Sequence, residues 1–579
     1  MESIFWTFHP SPAPAITFDN IFYSAYSTIA FFLATPFVQL IMLKPTNGAW
    51  ASESIAQVID FLKTVYQIVA VSFILLFVYL IARYIKNISS YARELTVPYA
   101  KGNPVNHAES DSTRLLAASA LLKGCYFRRV IIDYFDKKHY AFAPEVGVDF
   151  SLILRVCKYL EKRETIFHLI FFGISVVFWF AASSTRTESI TSFARLVAIT
   201  QILFVSAFGI KFFKTLTEHK LAVTLFRRGS YDSKSVKKKF EIPNSQESDI
   251  TNSTNNQNMI IYDNFIPFVG SGVPLGGWSL SVNLSRPKKE LGQNEDIIPF
   301  EVEELYKEID VAIADLEFNG IVNRDVLFAN GGSIRNEKWI LPNIYSQPVK
   351  KFEYEMVKPF IGNNDSSIRH YKWIQVFDWG NELIVSHFCR CSRSGKNLFV
   401  EVNIFLLTSI ADEYRDVDKL VLNNWRYPIL SGLKCLFTTP VSIIYAWVSL
   451  SRNVILWLDK VLNIEERNIR KQIDSNLLYN YGANRSLRER MSSSRYQHFF
   501  QLLDNERYIK ILTRELLDTI IKFLDDHNID TSDLREQQIT IINSGVIVQK
   551  GDVRAEVMAI GAGATATQAK FGRRVEKKI

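Results

Sequence analysis

Long stretches without a charged side chain constrain this sequence more than any other feature. Ile21 to Leu43 is 23 residues without a charge, Val65 to Ala82 reads VYQIVAVSFILLFVYLIA, and Thr165 to Ser184 reads TIFHLIFFGISVVFWFAASS. A helix crossing the hydrocarbon core needs about 20 mostly apolar residues, because each residue advances it by about 1.5 Å. All three runs come close to or meet that length. A fourth, Leu196 to Phe213, has 15 uncharged residues between Arg195 and Lys211, and spans only if both cations snorkel toward the headgroups. Four spans are therefore predicted, at about 21–43, 65–82, 165–184 and 196–213, with Pro36 kinking the first.

Orientation follows from where the basic residues fall. Residues 83–164 carry 14 Lys and Arg and residues 211–240 carry nine, while the two opposite loops hold only four: Lys44, Lys63, Arg186 and Arg195. The positive-inside rule then places the N-terminus and everything after residue 214 in the cytosol. Arg83, Lys86, Lys211 and Lys214 are the basic residues expected at the membrane interface. The N-terminal stretch has no basic region ahead of its apolar run and does not read as a secretory signal. The net charge of +8 invites a nucleic-acid reading until it is divided. Residues 1–240 carry 27 basic and 16 acidic side chains, a net of +11, and the remainder carries 40 and 43, a net of −3. No nucleic-acid partner is expected of a mildly acidic cytosolic part. Its five cysteines fall at Cys125, Cys157, Cys389, Cys391 and Cys435, and an odd number in a reducing compartment argues against a disulfide framework.

The predicted organisation is a membrane region, 1–240, whose loop 83–164 carries its own helices, followed by a polar linker, 241–258. Thr113 to Phe135 reads as a juxtamembrane helix pair with Lys123, Arg128 and Arg129 facing anionic headgroups. Residues 259–428 read as a cytosolic α+β domain with an antiparallel sheet. MIIYDNFIPFVG and WSLSVNL have strand character, Glu301 to Phe318 has helical spacing, and further strands are expected at Lys338 to Leu341, Tyr371 to Phe377, Glu382 to Cys391 and Asn397 to Leu407. The turn signals at Asp378 to Asn381 and at Ser392 to Lys396 join the last three into a meander. Residues 429–460 contain a 17-residue uncharged run, Cys435 to Ser451, broken by Pro440 and flanked by Lys434 and Arg452. A pair of short interfacial or re-entrant helices fits this stretch better than a fifth span. Residues 461–579 read as a helical segment with an apolar stripe from Tyr508 to Leu524, then short strands and a small-residue tail.

Two constellations invite chemistry. Gly270, Gly272, Gly276 and Gly277, in FVGSGVPLGGW, suggest a phosphate loop, but no Lys-Ser/Thr pair follows and the next element is a strand. They read as a turn or bulge whose backbone comes close to a neighbour or ligand. His387, Cys389 and Cys391 alternate, so a strand points all three to one face, with His370 near them across the hairpin. They are the best metal candidates, although ligands two apart on a straight strand diverge, unlike the C-x2-C knuckles of structural zinc sites. No hydrolase, metalloprotease, kinase or deaminase motif is present, and no cofactor is indicated.

The segments PFVGSGVPLGGWSLSVNL, RHYKWIQVFDWGNELIVSHFCR, YGANRSLRER and IINSGVIVQKGD resemble those of a group of uncharacterised bacterial multi-pass membrane proteins, over most of residues 260–550. That resemblance implies a bacterial plasma membrane and transfers no activity. The expectation is a multi-pass α-helical membrane region joined to a cytosolic α+β domain that senses or scaffolds, coupled to the spans, one version of which perturbs the membrane. The competing readings are a bilayer-tethered enzyme and a channel or transporter subunit. The partners expected are the lipid bilayer and further copies of the chain.

Overall fold

The computed structural model describes residues 60, 64, 67–68, 71, 74–75, 77–85, 106–137, 139–184, 190–241, 257–290, 293–294, 296–318, 320–364, 367–420 and 426–544. The first expected span, Lys86, residues 242–256 of the linker and the C-terminal tail lie outside them. In chain order the main helices are α1 (Asp111–Leu122), α2 (Cys125–Phe135), α3 (Phe150–Ser184), α4 (Ile190–Leu225), α5 (Ser233–Lys239) and α6 (Val302–Asp315), followed by α7 (Arg426–Leu462), α8 (Ile464–Ser475), α9 (Leu487–Arg490), α10 (Phe499–Asp526) and α11 (Ser532–Ser544). The principal strands are β1 (Met259–Tyr262), β2 (Val273–Asn283), β3 (Ile321–Asn330), β4 (Arg369–Asp378), β5 (Leu383–Ser394) and β6 (Asn397–Leu407). They divide into two units: residues 1–95, 162–221 and 421–461, and residues 96–161, 222–420 and 462–579.

The first unit is helical. Three helices are long and apolar enough to cross a membrane: Phe150–Phe180, Ala198–Leu225 and Arg426–Leu462. Their apolar side chains are left largely uncovered, Trp179 and Phe180 being 67% exposed and Ile444 68%. The described positions between 67 and 85 are helical too. Within the unit, Leu80, Tyr84, Phe208, Phe212, Leu216 and Cys435 form one buried cluster, and Phe171, Ala207 and Ala446 another. Small residues permit the close approach. A Cβ on Gly432 would stand 2.2 Å from the Phe77 ring, which itself stacks on Phe212 at 5.3 Å.

The stretch 430–458 departs from expectation. It is one continuous helix of 37 residues, with Pro440 inside it, and not two short ones. Proline in a helix interior removes a hydrogen bond to the preceding turn. Here Lys211 Nζ reaches that region, donating to the carbonyl and hydroxyl oxygens of Thr438 at 2.7 and 2.6 Å and to Ser442 Oγ.

The second unit is built on a six-stranded sheet in the order β1-β3-β4-β5-β6-β2. The expected meander is present as β4, β5 and β6, all antiparallel. The sheet as a whole is mixed, because β1 runs parallel to β3. β1 pairs only with Leu327 to Asn330, so among the described residues the first half of β3 borders no strand on that side. One face packs under α6 and α10, joining Leu305, Ile309, Leu512, Leu516 and Ile520 to Ile374, Val385 and Val402. The other face carries Phe268, Phe328, Trp373, Phe388 and Phe405.

Three further expectations are corrected. Lys338 to Leu341 turns, with Ile340 and Leu341 N–H both donating to Glu337 O, and is not a strand. The segment ITIINS lies at the end of α11, so its β-branched residues are helical. α1 and α2 do form a helix pair, but α1 is buried along nearly its whole length. Arg128 donates to Ala120 O at 3.0 Å and Arg129 Nε lies 3.1 Å from Glu161 Oε1, so both side chains are engaged inside the fold.

Candidate functional site

The glycine-rich turn is an amide cradle, and its occupant belongs to the chain. Gly270 and Gly272 have φ of 91° and 92°, which a side chain rarely adopts. Space is equally short: a Cβ would lie 2.4 Å from Pro144 O at the first and 2.2 Å from Leu406 O at the second. Both N–H groups donate to Glu489 Oε1, at 2.7 and 2.9 Å. Glu489 Oε2 accepts the Ser486 N–H at 3.1 Å, while Ser486 Oγ accepts the Glu489 N–H at 3.0 Å. That reciprocal box caps α9. Gly276 and Gly277 lie on β2, where the register with β6 shifts between Pro274 and Gly276, and a Cβ at Gly277 would meet Val402 O at 2.2 Å. The four glycines thus set a turn and a bulge.

A second buried carboxylate meets the same short helix. Glu145 accepts the Leu487 and Arg488 N–H groups at 2.9 and 3.0 Å. Burial raises its pKa to about 7, against the pull of those two amides. Burial also raises that of Glu489. Arg488, fully buried, donates to Thr408 O at 2.7 Å and to Asn381 O at 3.3 Å, and burial lowers its pKa to about 10.

The turn between β4 and β5 meets Arg488 from the other side. Trp379, Gly380 and Asn381 have φ of 54°, 64° and 65°, three left-handed residues in succession. Such a run persists only where neighbours hold it. Asp378 accepts the Trp379 N–H at 2.7 Å and the Tyr508 hydroxyl at 2.6 Å, and Trp379 Nε1 donates to Asp504 at 3.0 Å. Asn381 donates to Gly147 O at 3.1 Å and bonds His107 Nδ1 at 3.2 Å. Its carbonyl accepts the Ser112 hydroxyl at 2.9 Å. Beside it Glu382 pairs with Arg415. Arg114, on buried α1, holds Asp111 at 2.9 Å and Asp418 at 2.7 Å. Three of the motifs quoted from the sequence, FVGSGV, DWGN and RSLRER, therefore converge on one junction.

The metal candidates have a different environment. His387, Cys389 and Cys391 do share a face of β5, and His370 lies on the same face of β4. His370 Nε2, however, bonds Asp325 at 2.9 Å, and Asp325 also pairs with Lys372 at 2.9 Å. The Cys391 N–H donates to the Tyr306 hydroxyl at 2.7 Å. Among the described residues no three His, Cys, Asp or Glu side chains are grouped to hold a metal ion. Neighbouring same-face positions on a strand point their side chains along parallel, not convergent, directions. His387 is fully buried, neither ring nitrogen has a hydrogen-bond partner among the described residues, and burial lowers its pKa to about 3.

Of the basic residues expected at the interface, Arg83 lies 5.9 Å from the Phe213 ring centroid. Lys214 pairs with Glu164, and Lys211 is engaged by Thr438 and Ser442 on α7. Lys86 lies outside the described residues. What sequence reasoning missed was Glu145, Glu489, Arg488 and the Arg114 pairs. The capping box Ser486-x-x-Glu489 was a local signal for one of them; Glu145 left none, because its partners lie more than 300 residues along the chain.

No curated protein and no solved structure matches the chain. Residues 277–554, from within β2 to beyond α11, match the family model described as AbeC-like domain, and it is to this family that the larger part of the α+β unit is similar.

Proposed function

We propose that the chain is a multi-pass protein of a bacterial plasma membrane whose cytosolic α+β unit senses or scaffolds and passes its state to the spans. The observation that carries this reading is the continuity of α3 and α4. Each is a single helix, and each has residues in both units: α3 leaves the α+β unit at 161 and α4 re-enters it at 222. The chain therefore passes between the α+β unit and each apolar segment within a helix, with no intervening loop. The engaged carboxylates of the motif junction support a holding role over a catalytic one, since Glu145 and Glu489 each use both oxygens on backbone amides.

Topology supports the same reading. Any excursion that leaves the α+β unit and returns to it crosses a bilayer an even number of times. The pair α3 and α4 satisfies this. Between 420 and 462 there is a single apolar helix, so α7 enters the bilayer without crossing it, as an oblique or interfacial element. Lys460, Arg452 and the charged start of α8 then remain at headgroup level.

The test is dye-loaded liposomes carrying the full chain, challenged with a small-molecule extract of bacterial cytosol. Coupling of sensing to the spans predicts release that is lost when Lys162→Pro breaks α3. Absence of release with every extract fraction, together with turnover of a component of the extract, would favour the tethered enzyme instead.

A further inference from the structure

Four side chains on the aromatic face of the sheet form a patch that the motif junction around α9 does not use. Arg324 on β3 pairs in register with Trp373 on β4, and Gln375 on β4 pairs with Ser386 on β5, so the four occupy adjacent positions on one face. Trp373 is fully buried, and Gln375 and Ser386 are each 1% exposed. The Arg324 guanidinium lies 4.1 Å from the Trp373 ring centroid, and its Nη2 donates to Gln375 Oε1 at 3.0 Å.

That bond fixes the amide. A guanidinium only donates, so the oxygen of Gln375 faces it and the NH2 group points elsewhere. Gln375 Nε2, Trp373 Nε1 and Ser386 Oγ have no hydrogen-bond partner among the described residues. An unmade bond at a buried polar atom costs about 1–3 kcal/mol, and three at neighbouring positions is far above the usual frequency. Two of the three can only donate. The Arg324 charge reaches this far: the half-buried His107, 5.2 Å from the Phe377 ring two positions beyond Gln375, has its pKa lowered to about 4 by burial and by Arg324, against the opposing pull of Asp149.

β1 begins opposite Leu327, so among the described residues Ile321 to Asp325 borders no strand on that side, and all five are partly exposed. We propose that the patch of Arg324, Trp373, Gln375 and Ser386, beside the open edge of β3, binds a small oxyanionic group, a carboxylate or a phosphate. Its oxygens accept from the indole, the amide, the hydroxyl and the guanidinium together. The site stands independently of the membrane reading.

The test uses the full chain in detergent micelles, with thermal unfolding followed against sodium phosphate in one arm and sodium acetate in the other, chloride balancing ionic strength. A saturable rise in the unfolding midpoint is expected, and the arm saturating at the lower concentration names the group. Ser386→Ala should raise the half-saturating concentration about tenfold, the loss of one hydrogen bond, and Arg324→Met should abolish the response. If neither anion acts beyond chloride, or if Ser386→Ala responds as the parent does, the patch holds only water and the proposal falls. Should Arg324→Met fail to fold, Ser386→Ala decides alone, because it removes a single oxygen.

Discussion

Glu489 shows how one side chain can determine what a loop is for. Its carboxylate takes three amides, from Gly270, Gly272 and Ser486. Glu489→Ala would leave them unpaired in a buried place, and a destabilisation of about 3 kcal/mol is expected in chemical denaturation. Glu489→Gln keeps an oxygen for the two glycines and should cost about 1 kcal/mol; equal losses would mean that charge and not hydrogen bonding holds the turn. Two buried groups of the α+β unit carry opposite pH signatures. Glu145, raised to about 7 from 4.5, holds a proton in the folded state that the unfolded chain has released. Stability from this group is present below about pH 4.5 and is lost as pH rises through about 7. His387, lowered to about 3 from 6.5, is neutral when folded, so its effect is loss of stability as pH falls below about 6.5. Between about pH 4.5 and 6.5 the two oppose, and only single variants separate them. Relative to Glu145→Gln, the parent should lose stability from pH 5 to 7.5; relative to His387→Leu, it should lose stability from pH 6.5 to 4. Parallel pH curves in either pair would show that burial does not shift that group.

Elements were legible where a pattern was local. The period-two alternation of β4, β5 and β6, and the turn residues between them, sufficed to place the hairpin and the meander. β3 was missed because Asn323, Arg324 and Asp325 interrupt its alternation. Each has a partner that only the fold supplies: Asp310 for Asn323, Gln375 for Arg324, and His370 and Lys372 for Asp325. ITIINS misled for the opposite reason, its β-branched residues favouring a strand while α11 carries them as its final turns. α7 was broken in two on the sequence because Pro440, Lys434 and Arg452 read as interruptions, whereas the helix runs through them and Lys211 donates to Thr438 and Ser442 on either side of the proline. Two substitutions test that packing. Gly432→Val would drive a side chain into Phe77 and should lower the unfolding midpoint of the helical unit by several degrees, as overpacking of about 1–3 kcal/mol does. Lys211→Met keeps the length but donates nothing. It should loosen α7, read as faster amide exchange around Thr438 to Ser442; unchanged exchange there would mean the lysine only packs.

At the scale of the whole molecule, the distribution of charge and the closure of the fold constrain the same quantity. The +11 of residues 1–240 argues for one cytosolic side through the positive-inside count. Ser493 N–H donates to Ser409 O at 2.8 Å and Ala411 N–H to Met491 O at 2.9 Å, so the chain before α7 and the chain after α8 belong to one folded body. α7 is about 55 Å long at 1.5 Å per residue for its 37 residues, well over the ~30 Å of a hydrocarbon core. Length and apolarity alone would make it a span, yet a single crossing would place residues 420 and 462 on opposite sides and the fold could not close. Under the proposed topology, closure of the fold requires α7 to lie obliquely. Cysteines placed at Lys419 and at Asn463, both exposed, in a chain otherwise free of cysteine, should react with an impermeant maleimide from the same side of sealed inverted vesicles. Labelling of the two from opposite sides would mean that α7 crosses and that the unit as described does not close in the membrane. Labelling of both from the periplasmic side would keep the closure argument and overturn the charge argument.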